Sequence, residues 1–432
     1  MSNATSNEKS APSDKHEKPD KPDADLPPVD ERLRRITNLL YPRVMRYRER
    51  VTDVRFASAP DEAALYALKG RRVLFLPNHP TVNDPPVMVG LSRLLDEPFR
   101  YAAMEELFEG PVGVVAARMG AFPIRRGTPD RAALKKCQAS LLIPGGKLVL
   151  FAEGEAHGTN DNLLPLNPGG AQVAFWAAEK LRDDHNTAPD LLIQPVAIKY
   201  RFVEPANARR EIEQGLAHAE RALGLPALDP ADSLFRRTRR ASLAILSGIE
   251  REYDLKTDEK MDTDDRLTAL YNALEARVIA MLRIPAPKEE NMVHRMRTLF
   301  NAAHAYRARL ETGETQYDKR LQERREWIAD ACLADLRRVE NFMGVRTRRI
   351  EPDATLEQLD EMLVRLEAEL FGDKRTRPLR DATVALGAPI DVREQLPVYT
   401  ANKRRAVIDV TRRVEGELRA MLDGMHWLST AA

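Results

Sequence analysis

The sequence predicts an α/β fold, a mixed, mostly parallel sheet flanked by helices, with a large all-helical insertion. Three observations carry this expectation. Short apolar runs alternate with helical patterns from about residue 70 to 203. From Glu204 to about Asp373 the pattern is helical with hardly a break. A strand pattern then returns at Ala382 to Leu386. A chain of 432 residues, 43% of them hydrophobic, suffices for one large domain or two ordinary ones.

Residues 1–29 are rich in Ser, Lys, Asp, Glu and Pro and have almost nothing to bury, which reads as a disordered tail. They show no apolar stretch of the kind a secretory signal carries. In "DERLRRITNLLYPRVMRYRERV", Leu33, Ile36, Leu39, Leu40, Val44 and Met45 lie near one helical face, with Asp30 as N-cap. "RRVLFLPNH" reads as a buried strand entering a turn. "PPVMVGLSRLL", "GPVGVVAARMG" and "DRAALKKCQASLL" read as helices, with "FRYAAM" and "AFPIRR" extended between them. "KLVLFAEG" is a buried strand, "GGAQVAFWAAEKLRDD" a helix and "LLIQPVAIKYRF" another strand. In the insertion, Leu321, Trp327, Ile328, Cys332, Leu333, Leu336 and Val339 recur at helical spacing and predict the core of a bundle. The expected division is a tail over 1–29, an α/β part over 30–203, the helical insertion over 204–375, and a closing strand and C-terminal helix over 376–432.

Composition removes several function classes. Charged residues make up 31% but balance to net +1, which argues against a nucleic-acid binder. The two cysteines, Cys137 and Cys332, have no C-x-x-C partner, so neither a disulfide framework nor a zinc site is expected, and a reducing cytosol fits. No apolar run reaches the ~18 residues of a transmembrane helix, which leaves attachment to a membrane surface open. His157, Asp161 and His185 are too irregularly spaced for a metal site. "IPGGK" at 143–147 is too short for a P-loop. There is no G-x-S-x-G, and no cysteine beside a suitable histidine, to supply a covalent nucleophile.

Four segments stand at predicted strand ends: "NHPTVND" at 78–84, "GAFPIRRG" at 120–127, "FAEGEAHG" at 151–158 and "IQPVAIKY" at 193–200. In the first, His79 and Asp84 are separated by four residues that can fold back through Pro80, Thr81 and Asn83. Histidine suits proton abstraction because its reference pKa is about 6.5. A carboxylate at the other ring nitrogen fixes the tautomer and stabilises the imidazolium. Asp84 before Pro85 equally suits a helix cap with proline at the first helical position, and His79 equally suits a satisfied strand-end histidine.

The order, spacing and content of the four segments resemble the glycerolipid acyltransferase family, which includes glycerol-3-phosphate and lysophosphatidate acyltransferases. The resemblance covers about 70–200 and resumes near 382–423, where "VALGAPIDV" and the last helix look like the family's closing strand and helix. It implies O-acyl transfer from acyl-CoA or acyl-ACP to the hydroxyl of a lysophospholipid such as lysophosphatidate, with no covalent acyl-enzyme. It makes His79 the base, Asp84 its orienting partner, and Arg126 the grip on an anionic acceptor group. It places the Glu153–Gly154 loop beside the acceptor and Pro195–Val196 along the acyl chain, although core packing explains Val196 and Ile198 as well. Glu153 equally suits a structural carboxylate bonded to backbone amides. No metal, prosthetic group or other cofactor is implied, since the acyl thioester is a substrate.

The third segment departs from the family pattern. Ala152 stands for Pro, Glu155 for Thr, and Ala156 for a second phosphate-gripping Arg, which favours an acceptor without phosphate. His157 reads as an exposed loop histidine. A lipid acceptor implies a cytoplasmic protein peripheral to the membrane. The basic stretches "FRRTRRASLAILSG" at 235–248 and "GVRTRRI" at 344–350 are candidates for that contact, or ordinary bundle segments with solvated charges. A reading from another class is a non-catalytic lipid-binding or scaffold protein, with its function in the insertion.

Overall fold

The computed structural model describes residues 26–124, 130–154, 156–185, 190–226, 232–256, 260–289, 291–308, 313, 315–346, 352–372 and 377–426. Arg125, Arg126 and Glu155 lie outside these, as do most of the expected tail and the last four residues of the 344–350 stretch.

Helix α1 (Glu31–Tyr47) starts where the sequence places it: the Asp30 carboxylate accepts from the Arg32 and Leu33 amides, each at 3.0 Å. Strand β1 (Val51–Phe56) and helix α2 (Ala59–Ala67) follow, neither of them foreseen from the sequence. Then come β2 (Arg72–Pro77), α3 (Asp84–Leu95), β3 (Phe99–Met104), α4 (Pro111–Arg118), β4 (Ala121–Ile124) and α5 (Arg131–Leu142). The next strand, β5 (Lys147–Val149), is shorter than expected: the chain leaves the sheet after Val149, and Ala152–Glu153 form a turn. Helix α6 (Gly169–His185) and the long β6 (Leu191–Phe202) complete the first part.

Among the described residues, six helices lead from β6 to the next strand: α7 (Pro205–Ala222), α8 (Leu234–Glu252), α9 (Thr263–Leu282), α10 (Met292–Arg307), α11 (Gln316–Arg346) and α12 (Leu356–Phe371). Strands β7 (Arg380–Leu386) and β8 (Ile390–Asp391) and helices α13 (Val392–Ala401) and α14 (Lys403–Gly424) follow.

The strands form one mixed sheet in the order β1-β7-β6-β2-β5-β3-β4, with β8 also paired to β6. All pairs are parallel except β6 with β7 and β6 with β8. Both faces are covered, as a mainly parallel sheet requires. The period of two along β2 shows it: Leu74 and Leu76 pack into a core with Phe175 and Val410, while Val73 and Phe75 pack into another with Met88 and Leu91.

The helical segment has its own core around Leu274, Leu299, Cys332 and Leu336. Trp327, expected there, is instead exposed, because its helical angle turns it away from the packed row of Cys332, Leu333 and Leu336. The apolar side of α8, with Ile245, Leu246 and Ile249, is buried in this core. Of its arginines, Arg237 and Arg240 pair with Glu220 and Arg236 with Asp232. The 235–248 stretch therefore has no apolar face free to enter a membrane.

Candidate active site

Three adjacent parallel strands, β6, β2 and β5, point their carboxyl ends at the site, the usual location for chemistry in an open α/β sheet. Where β2 ends, Asn78 takes over the work of a strand residue. Its backbone amide donates to Val196 O at 3.2 Å and its Nδ2 to Ile198 O at 3.0 Å. Its Oδ1 accepts from the Ile198 amide at 2.7 Å. This fully buried clamp sets where the next residue, His79, leaves the sheet.

The chain then turns into α3 and brings His79 and Asp84 together, with Nδ1 2.7 Å from Asp84 Oδ2. Asp84 is fully buried and also accepts from the Thr81 amide at 2.9 Å, Thr81 Oγ1 at 3.1 Å and the Tyr200 hydroxyl at 2.6 Å. An ionised carboxylate only accepts, so the proton of the shared bond belongs to His79 Nδ1, leaving Nε2 with the basic lone pair. The capping alternative for Asp84 is not what the structure shows. Asn83 holds the cap position without a side-chain bond, and Asp84 accepts from the preceding Thr81 rather than from the first turn of α3. The imidazole stacks on Phe151, with ring centroids 4.1 Å apart.

Tyr200, at the end of the fourth segment, extends the pair inward. Its burial first, and then the Asp84 charge, hold its pKa well above the ordinary range, so it remains a proton donor. The Arg380 guanidinium lies 4.6 Å over the Tyr200 ring, and burial pulls its pKa down to about 10. Neither role was legible beforehand; the only signal was that a tyrosine closes the fourth segment. Val196 and Ile198, in the same strand, are plain core residues.

Glu153 is fully buried, with both oxygens engaged inside the protein. Oε1 accepts from the His79 amide at 2.6 Å, and Oε2 accepts from the Leu164 amide at 2.7 Å. The carboxylate thus has the backbone-bonded arrangement; it holds the main chain of His79 and does not face outward toward an acceptor. His157, expected to be exposed, is buried, its Nε2 2.9 Å from Glu153 Oε2 and its Nδ1 2.5 Å from Thr159 Oγ1. The reason is that the loop folds back so that the His157 amide meets His79 O at 3.3 Å. Gly154 is exposed with φ of +82°, the left-handed region that suits glycine at the end of this turn.

Helices α10 and α12 grip the same loop. Arg297 Nη2 donates to Glu153 O, and to Pro165 O at 2.8 Å. Arg365 Nη2 donates to His157 O at 2.8 Å. Glu361 accepts from the Asn160 amide at 2.8 Å, and burial raises its pKa to about 7. Asn160 in turn bonds the backbone of Tyr200 in both directions, with Tyr200 N to Oδ1 at 2.7 Å. The helical segment is thereby a buttress of the site, a role that its sequence pattern did not carry. Arg126, the expected anion grip, lies outside the described residues, and no group of metal-ligating side chains occurs among those described.

The arrangement is a histidine held by a buried carboxylate at the carboxyl end of the parallel strands. The Acyltransferase family model matches residues 58–199, which run from the N-cap of α2 into β6. No curated protein matches the chain.

Proposed function

The chain carries an acyltransferase-family domain over residues 58–199, and from that premise we propose that it moves a fatty acyl group from an acyl thioester to the hydroxyl of a lysophospholipid. The observation that carries the mechanism is the 2.7 Å bond from His79 Nδ1 to buried Asp84. His79 Nε2 takes the hydroxyl proton while the acceptor oxygen forms a bond to the thioester carbonyl carbon. Asp84 stabilises the imidazolium that results. The tetrahedral species then breaks its C–S bond, and the imidazolium returns the proton to the departing thiolate. Acyl-CoA and acyl-ACP both fit this chemistry as donor.

Arg126 is assigned the anionic group of the acceptor on its place in "GAFPIRRG". A second reading, a phosphate-free lipid alcohol as acceptor, is favoured by Ala156, which offers no cation where the third segment would present one. Either acceptor sits in a bilayer, which makes the protein peripheral to a membrane. Among the described residues no helix is long and apolar enough to cross one.

The test is thiol release from acyl-CoA and acyl-ACP by wild type and His79→Ala, against lysophospholipids, glycerol 3-phosphate and phosphate-free lipid alcohols. Acceptor-dependent release that disappears in the variant is expected. Release that survives the substitution would remove His79 from the mechanism. Lipid binding with no release for any donor–acceptor pair would favour the scaffold reading.

A further inference from the structure

Helix α1 packs on α3 through a narrow face. Tyr41 donates to Pro86 O at 3.1 Å and lies where a side chain on Gly90 would stand. Arg34, nearly buried, pairs with Asp96 at 3.0 Å, and Met45 is buried. The opposite face is apolar and in solvent. Ile36, Leu39, Leu40, Val44 and Tyr47 are all exposed, Leu39 and Tyr47 by about three quarters (75% and 76%). At 100° per residue these fall within one stripe, with Arg32 and Arg43 inside it and Arg35 and Arg46 along one margin. The only acid in the helix is Glu31, at its first residue and already paired with Arg34.

A hydrogen-bonded link joins the end of α1 to the His79–Asp84 turn. Asn83 Nδ2 donates to Glu49, just past α1, at 3.2 Å to the backbone oxygen and 2.5 Å to the carboxylate. Beside it Val82, inside the His79–Asp84 turn, is 75% exposed. An apolar stripe this long is normally covered. Its arginines match an anionic, interfacial partner, because long arginine side chains can reach headgroups while the stripe enters the acyl boundary.

We propose that α1 is a membrane-docking helix that seats on an anionic lipid surface and, through the Asn83–Glu49 link, sets Val82 and the His79–Asp84 turn against the same surface. The inference rests on the lipid-acceptor reading and adds the surface that delivers the acceptor. It also moves the membrane contact from α8 to α1.

The experiment uses the full chain and the variant Leu39→Glu/Leu40→Glu, whose positions are exposed and leave the packed face of α1 intact. Sedimentation with phosphatidylglycerol/phosphatidylcholine vesicles is expected to show binding weakened roughly tenfold or more in the variant, and weakened by salt in the wild type. Turnover of an acceptor embedded in vesicles falls with it, while turnover of a monomeric short-chain acceptor is retained. Equal vesicle binding by both proteins, or none by the wild type, would overturn the proposal. So would a wild-type dimer that the variant converts to monomer, since a second copy would then be what covers α1. Variant-sensitive vesicle binding with no thiol release from either protein would leave the docking surface standing and sink the acyl-transfer reading alone.

Discussion

The Tyr200 hydroxyl donates to Asp84 Oδ1 at 2.6 Å, joining residues 116 positions apart in the chain. Asp84 Oδ2 is the oxygen that holds His79, so Tyr200 acts on the base through the acid. Tyr200→Phe keeps the ring under Arg380 and removes only the donor. A hydrogen bond to a charged group contributes about 1.5–3 kcal/mol, so kcat should fall by roughly 10–150-fold with KM little changed. Steady-state kinetics, with a melting curve to confirm the fold, checks this. An effect confined to KM would place Tyr200 in substrate binding instead.

His79→Ala should lower thioester turnover by about 10²–10⁴-fold, the usual contribution of a general base. Asp84→Asn should lose activity on a similar scale. The two differ in stability. His79 is part-exposed, whereas Asp84 is fully buried with donors on both oxygens, so only the second should melt clearly lower. Kinetics and thermal unfolding measured together separate these effects.

Arg297→Ala should loosen the loop rather than the fold. Its Nη2 holds the carbonyls of Glu153 and Pro165, at the two ends of the segment that carries His157. Losing these bonds should cost about 1–3 kcal/mol locally. Amide hydrogen exchange should quicken over 153–165 and stay unchanged in β2 and β6. Uniform quickening throughout the chain would mean that Arg297 supports the whole molecule.

Glu361 makes a prediction about pH. Burial raises its pKa from the ordinary 4.5 to about 7 in the folded protein. A carboxyl raised in this way contributes stability fully below its unfolded pKa and loses it as pH rises through the folded value. The wild type should therefore weaken between about pH 4.5 and 7 by an amount on the order of 3 kcal/mol at this group. Glu361→Gln lacks that titration, so its stability relative to wild type should climb across the same window. Denaturant unfolding of both proteins at several pH values reads the difference; a constant offset would contradict the assignment.

Much of the fold was legible because its signals are local. The buried strands Val73–Leu76 and Leu191–Phe202 are apolar runs of strand length, and α3 opens on a proline pair. Strand β1 escaped notice because it alternates Val51, Asp53 and Arg55 at the sheet edge, with little apolar content to mark it. Helix α13 contains Pro397, which breaks the helical pattern as read in sequence. For α1 the helix was legible, but Met45 lies on the buried face and Ile36, Leu39, Leu40 and Val44 are exposed: spacing identifies a stripe without saying whether protein covers it. At the site, the His79–Asp84 pair was visible from its spacing. Tyr200, Arg297 and Arg365 were not, because each reaches the site from a distant element.

The order of strands has a consequence for the newborn chain. Among the described residues, strand β1 pairs only with β7, with Val51 opposite Arg380. At about 5–20 residues per second, a ribosome takes roughly 16–65 s to travel from one strand to the other. Throughout that interval β1 lacks its partner, and β6, once made, presents a bare edge where β7 will lie. The buttressing helices are made within this delay, so the active-site loop acquires its supports before the sheet that carries it can close. Stalled or truncated chains should accordingly be prone to edge-to-edge aggregation and depend on chaperones that shield strand edges.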